Sequence, residues 1–300
     1  MEYQLLGNSD LNISRIGFGG MSLKSVQHDE AITLLQSAFQ QGINFFDTAD
    51  MYEHGRNEEI IGKAFRDIRD KVIIATKVGN QWRADGSGWD WNPRKDYILK
   101  CVDDSLKRLQ TDYIDLYQLH GGMITDSRDE VVDAFEQLRK EGKIRYYGIS
   151  SIRPNVIRAY MQENRNIKSV MLQYSLADRR PEEEVLDTLL QHNIGVLVRG
   201  ALAQGLLAGK PAKEYLDHST ESIRIAFEAI SSISGPHRST AQTAIRFVLR
   251  HPAVASSVIG VRNTVQLKDA IEVFDTPELA EEDYSYLKQS IRQNTYSDHR

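Results

Sequence analysis

Eight short apolar runs punctuate this chain, and a helix-patterned stretch follows each of them. The runs are Ile16–Gly20, Asn44–Asp47, Val72–Lys77, Tyr113–Leu119, Tyr146–Ile149, Val170–Gln173, Gly195–Val198 and Ala255–Ile259. The helical patterns cover Asp29–Phe39, Asn57–Phe65, Pro93–Leu109, Arg128–Lys140, Pro154–Gln162, Pro181–Gln191, Thr240–Arg250 and Val265–Val273. Asn57 reads as the N-cap of its helix, with Glu58 and Glu59 in the first turn. No two of the runs are joined by a two-residue turn. Alternation of this kind means parallel strands linked by crossover helices.

Eight such units in 300 residues predict an α/β fold, a closed (β/α)8 TIM barrel, which takes about 250 residues before decoration. One barrel domain spans residues 1–300. Two decorations are expected. Tyr3–Leu6 and Leu11–Ser14 form an N-terminal β-hairpin that plugs the barrel floor, and Ala280–Arg292 adds a C-terminal helix. The competing open sheet announces itself with G-x-G-x-x-G after its first strand. Here Gly17-Phe18-Gly19-Gly20-Met21-Ser22 lacks the last glycine, and no phosphate-loop motif occurs.

Composition narrows the function classes. The chain is 41% hydrophobic and 26% charged, with a net charge of −5. That balance argues against nucleic acid and anionic membrane as partners, which need a basic surface. No apolar run is long enough to span a bilayer, and Met1–Gln4 shows no signal pattern. The single cysteine, Cys101, lies at helical spacing with Ile98, Val102 and Leu109, so it is expected to be a buried helix residue. No disulfide within the chain is possible, no metal-type Cys/His spacing occurs, and a reducing cytoplasm is the expected location.

Barrel chemistry is built where strands end at their C-termini. The second run ends on Asp47, the third on Lys77, and His120 follows the fourth. Strands about 4.8 Å apart put these three within about 10 Å, and Tyr52 lies in the loop above the second strand. Taken singly, each has an ordinary explanation: a loop cap, a solvated strand end, a core histidine, a loop tyrosine. Together they suggest one chemistry. A phenol titrates near pH 10, and lowering that by ~3 units takes ~4 kcal/mol. An ammonium ~4 Å away supplies roughly that at an intermediate dielectric. Lys77 would be that ammonium, Asp47 would hold it, and a neutral His120 would hydrogen-bond a substrate oxygen.

Several segments carry a closer likeness. They are Gly42–Tyr52, Asn57–Ala64, Thr76-Lys77 and Ser105–His120. In these the chain resembles the aldo-keto reductases along nearly its whole length, and most closely the bacterial family-11 type. The resemblance implies NADPH-dependent reduction of an aldehyde or ketone, with Tyr52 as proton donor and Asp47, Lys77 and His120 completing a catalytic tetrad. It implies a small carbonyl substrate and a monomer without an obligatory protein partner. The alternative on the same barrel is a cofactor-binding regulatory or redox-sensing subunit with little turnover.

The resemblance also assigns cofactor positions. They are Gly20 and Met21 after the first strand, Asp47, Ser150 and Ser151 after the fifth strand, and Gln173 on the sixth. Ser151 replaces an Asn that is frequent in the family. After the seventh strand come Arg199, where an aromatic platform is usual, and then Gly200, Ala201, Leu202, Gly205 and Leu206. Past the eighth lie Gly260, Val261, Arg262 and Gln266, with Arg262 as the 2′-phosphate contact. Ala270 stands where relatives carry an adenine-contacting Asn. A guanidinium is planar and can stack on a ring, so Arg199 is the expected nicotinamide platform. The loop Gly79–Asn92 holds all three tryptophans, Trp82, Trp89 and Trp91, as a candidate wall for the substrate.

Overall fold

In the computed structural model, which describes residues 1–163 and 166–300, the alternation closes on itself. The core strands are β3 (Ile16–Gly19), β4 (Phe45–Asp47), β5 (Ile73–Val78), β8 (Ile114–Leu119), β9 (Ile144–Ser150), β10 (Ser169–Gln173), β11 (Gly195–Arg199) and β12 (Val254–Ile259). They pair in parallel in that order, and β12 returns to β3. Helices α1 (His28–Gln40), α2 (Arg56–Phe65), α3 (Lys95–Leu109), α4 (Arg128–Lys140), α5 (Pro154–Glu163), α6 (Val185–Gln191), α8 (Thr240–Leu249) and α9 (Thr264–Ile271) are the crossovers. Each packs an apolar stripe inward. On α3 that stripe is Ile98, Val102 and Leu109.

The expected hairpin is present as β1 (Tyr3–Leu5) and β2 (Asn12–Ser14), paired antiparallel. Leu6, Leu11 and Ile13 enter a barrel-interior cluster with Phe45, Ala75, Leu116, Met171 and Leu197. Its turn sits hard against the barrel floor: a Cβ at Gly7, where φ is +55°, would lie 2.6 Å from the Lys168 carbonyl oxygen. The C-terminal helix is α10 (Glu281–Ser290).

Side chains alternate along a strand, so the residues two beyond this apolar floor also point inward. Those residues are Asp47, Lys77, Gln118, Gln173 and Arg199. An apolar layer is thus capped by a polar one on five strands, at the C-terminal mouth.

Three local expectations are corrected, and one unassigned segment proves helical. Asn57 is no N-cap: α2 begins at Arg56 behind Gly55, whose φ is +88°, without a side-chain cap. The Asn57 carboxamide is buried instead, accepting from Thr48 Oγ1 at 2.7 Å and donating to the Gly20 carbonyl at 2.8 Å. The loop 79–92 contains a second hairpin, β6 (Asn80–Trp82) against β7 (Trp89–Trp91). The stretch 181–191 splits into a 3-10 turn, Arg180–Glu183, and α6. The segment before α8 holds a further helix, α7 (Thr220–Ile233), capped by the Ser219 hydroxyl. Among the described residues no helix is long and apolar enough to cross a membrane.

Candidate active site

Strands β4, β5 and β8 bring the predicted carboxylate, amine and imidazole into one arc. Lys77 is 1% exposed. Its ammonium donates to Asp47 Oδ2 at 2.7 Å and to the Thr48 carbonyl at 2.6 Å. Gln118 Nε2 approaches Asp47 Oδ1 at 3.4 Å. Burial pulls the Lys77 amine down, but Asp47 and the Tyr52 phenol outweigh it and hold the amine charged, above its ordinary value. Burial pushes the Asp47 carboxyl up, with Lys77 and then Gln118 opposing.

Tyr52 stands over this pair. The Lys77 ammonium lies 5.3 Å from its ring centre, and the nearby phenol favours the charged amine. The His120 ring meets the Tyr52 ring edge-on at 5.9 Å. Desolvation, then the positive charges of Lys77 and Arg199, pull the His120 imidazole down to about 3, so it is neutral at physiological pH. Its Nδ1 is buried without a hydrogen-bond partner.

The loop carrying Tyr52 is strained. Glu53 and His54 have φ of +52° and +56°, left-handed conformations that cost about 1–3 kcal/mol each for ordinary side chains. Neighbouring contacts offset that cost. His54 stacks on Trp82 at 4.0 Å, and Trp82 Nε1 donates to the Met51 carbonyl at 3.3 Å. Beneath the loop, the fully buried Glu58 accepts from Thr76 Oγ1 at 2.5 Å and from Arg108 Nε at 2.6 Å. Behind the loop is a cavity of about 310 Å³ lined by Asp50, Asn80, Trp82, Tyr97, Cys101 and Arg108. Cys101 is half-buried there rather than buried, and desolvation raises its thiol to about 11. None of the four tetrad residues lines this cavity.

The other predicted positions form the complementary arc, from β9 round to β3. Ser150 and Ser151 are buried at the end of β9, and the Ser151 hydroxyl accepts from the Arg153 backbone at 3.2 Å. Gln173 and Arg199 are register partners on β10 and β11, and Arg199 Nη1 donates to Gln173 Oε1 at 2.9 Å. Gly200 and Gly205 adopt φ of +77° and +93°, whereas Ala201 and Leu206 are buried. Gly260–Arg262 follow β12, and the Ser22 hydroxyl donates to the Val261 carbonyl at 2.7 Å. That bond ties this segment to the loop bearing Gly20 and the exposed Met21. Arg262 is exposed, and its backbone N–H donates to Gln266 Oε1 at 3.0 Å. Ala270 is buried in the core and presents nothing to the mouth.

Sequence reasoning missed several neighbours. Gln118 repeats the pattern of an apolar residue, any residue, then a polar one at a strand end, and that pattern could have found it. Lys210 and Lys213 donate to the Gln204 carbonyl and side chain at 2.8 and 3.2 Å. Asp178 and Tyr215 both bond Gln173. These four come from irregular segments with no periodic signal. Of the three tryptophans, Trp91 packs against Gly79 and Gly121 and donates to Asp126 at 2.9 Å, while Trp89 is exposed.

A closed parallel barrel with a buried ammonium–carboxylate pair at its C-terminal mouth has the layout of a barrel enzyme. Residues 15–292 match the aldo/keto reductase family, and the chain belongs to that family, whose members use nicotinamide cofactors. It is 46% identical, over the full length of both chains, to a Bacillus subtilis protein described as the uncharacterized oxidoreductase YqkF. Among solved structures it is similar to the holo form of aldo-keto reductase AKR11C1 from Bacillus halodurans. There the identity is 42% and the TM-score 0.94, covering 100% of this chain and 99% of that one. The glycerol dehydrogenase AKR11B4 from Gluconobacter oxydans is 25% identical at a TM-score of 0.85, covering 96% and 94% of the two chains.

Proposed function

We propose that this chain reduces an aldehyde or ketone to the alcohol with NADPH, Tyr52 supplying the proton. The observation that carries the reading is the buried Asp47–Lys77 pair directly beneath Tyr52, with a neutral imidazole beside it.

The residues fit a dinucleotide along the arc from β9 to β3. Gln173 and Ser150 would meet the carboxamide, and the Arg199 guanidinium would lie against the nicotinamide. The left-handed glycines Gly200 and Gly205 shape this loop and put no side chain between it and a pyrophosphate. Arg262, exposed beside a helix start, suits a 2′-phosphate. When bound, the cofactor supplies hydride to the carbonyl carbon.

The protein's part is the proton and the charge. The carbonyl oxygen accepts from the Tyr52 hydroxyl and from His120, whose neutral ring donates without adding a proton of its own. As the oxygen takes the Tyr52 proton, phenolate develops beside the Lys77 ammonium. That charge is in place before the reaction, so no reorganisation is needed. Asp47 keeps Lys77 protonated, and the Thr48 carbonyl fixes its direction. The chain works as a monomer in the cytoplasm.

A panel of aldehydes and ketones, followed by loss of NADPH absorbance, tests the reading. Turnover on members of the panel is expected. Tight NADPH binding with no turnover on any carbonyl would replace it with a regulatory, cofactor-sensing role.

A further inference from the structure

Gln173 is held on every side. Its Nε2 donates to Asp178 Oδ2 at 2.8 Å and to Tyr215 Oη at 3.1 Å. Its Oε1 accepts from Arg199 at 2.9 Å. A Cβ at Gly200 would lie 3.2 Å from Gln173 Cγ, a tight contact, and the φ of +77° there favours glycine. The chemistry of the partners allows one orientation. A carboxylate only accepts, so the amide nitrogen must face Asp178. A guanidinium only donates, so the amide oxygen must face Arg199. Both protons of the nitrogen are then used, and the oxygen keeps one lone pair for the barrel mouth.

Asp178 is itself immobile. It is 0% exposed. Arg180 donates to it twice, Nε to Oδ1 and Nη2 to Oδ2, both at 2.7 Å. Its backbone is paired in both directions with Ser175 at 3.1 Å. Burial, and then the Asp178 charge, raise the Tyr215 phenol to about 12, so it stays a neutral acceptor. The C-terminal segment closes the outside: Arg180 stacks over the Tyr296 ring at 5.4 Å.

We infer that Asp178, seconded by Tyr215, is a positioning residue that fixes Gln173 as a pure acceptor, and so makes the nicotinamide end of the site select an N–H donor. This rests on the proposed dinucleotide site. It goes further by assigning the selectivity for a carboxamide to two residues outside the mouth.

Substitution at Asp178 has a definite consequence. In Asp178→Asn the amide oxygen can take the Oδ2 position and still accept from both Arg180 Nη2 and Gln173, so that variant leaves Gln173 oriented. Asp178→Ala removes the acceptor outright, so the Gln173 amide is no longer held with its nitrogen turned away from the mouth.

The test is fluorescence titration of the full chain with NADPH and with reduced 3-acetylpyridine adenine dinucleotide phosphate. The analogue keeps the carbonyl but has no N–H to donate. The wild type should bind NADPH at least about tenfold tighter than the analogue, the scale of one buried acceptor left unmatched. Asp178→Ala should bring that ratio to within about threefold of one. General loosening would weaken both ligands alike and leave the ratio intact, and an unchanged ratio overturns the assignment. Tyr215→Phe leaves the Asp178–Arg180 pair whole, so it serves if Asp178→Ala does not fold. It should lower the ratio partway, and an undiminished ratio there likewise overturns the assignment. A wild type that binds neither ligand overturns the dinucleotide reading, and this inference with it.

Discussion

The two arcs of the barrel mouth are built on opposite principles. From β4 to β8 the groups are buried and occupied with one another: Lys77 has Asp47 and Thr48, and Glu58 below has Thr76 and Arg108. From β9 round to β3 the charges of Arg199 and Arg262 are exposed, and the left-handed glycines Gly200 and Gly205 shape the loop between them. Burying an ammonium without a partner is costly, so a charge meant to act on a proton must be built in with its counter-ion. A charge meant to meet a phosphate costs little while solvated and gains its strength when covered. The first arc is therefore part of folding, and the second is a surface that waits for a ligand.

Substitutions should separate the arcs by what they damage. The largest effect is expected from Lys77→Met. It leaves the Asp47 carboxylate buried and unpaired, a loss of about 3–5 kcal/mol, and lowers the melting temperature by roughly 10 °C. Carbonyl reduction should fall at least ~10²-fold alongside. Tyr52→Phe should cost ~10²–10⁴-fold in kcat while leaving the melting temperature within about 2 °C. Calorimetry and steady-state rates on the two variants decide whether the arc is at once structural and catalytic. A Tyr52→Phe enzyme at full rate would remove Tyr52 as the proton donor. On the other arc, Arg262→Ala should weaken NADPH binding about tenfold, leave NADH binding unchanged and move stability by less than about 0.5 kcal/mol. Equal affinity for NADPH and NADH in the unsubstituted chain would end the 2′-phosphate role.

The sequence made the first arc more legible than the second, for a physical reason. Phe45-x-Asp47, Ala75-x-Lys77 and Leu116-x-Gln118 obey the strand period of two, so face and height in the barrel follow from spacing. The barrel itself followed from eight apolar runs and their intervening stripes. Asn57 misled because a side chain suited to capping found better partners in Thr48 and Gly20, which only the fold brings near. The hairpin of β6 and β7 was hidden because its pairing, Trp82 opposite Trp89, sits in a stretch without apolar alternation. Asp178, Tyr215, Lys210 and Lys213 lie in irregular segments, where position is set by tertiary contacts that no local pattern encodes.

A pH-dependent effect sharpens the boundary of the first arc. Asp50 sits two residues before Tyr52, and its backbone N–H donates to the Lys77 carbonyl at 3.3 Å. Its Oδ1 is buried without a hydrogen-bond partner. Burial first, and the Glu58 charge second, push this carboxyl up to about 8. Between about pH 4 and 8 the folded chain therefore keeps a proton that the unfolded chain has released, so Asp50 lowers stability steadily as pH rises through that window. His120 has the opposite sign. With its imidazole held down near 3, it costs stability only as pH falls below about 6.5. Asp50→Asn keeps the shape of the neutral acid and cannot ionise. Its melting temperature should match the unsubstituted chain near pH 4, rise above it progressively, and lead by about 3 °C or more at pH 8 and beyond. A lead that is the same at every pH would mean that Asp50 is ionised in the fold, and that the pairing of charges beneath Tyr52 extends to one carboxylate more than Asp47.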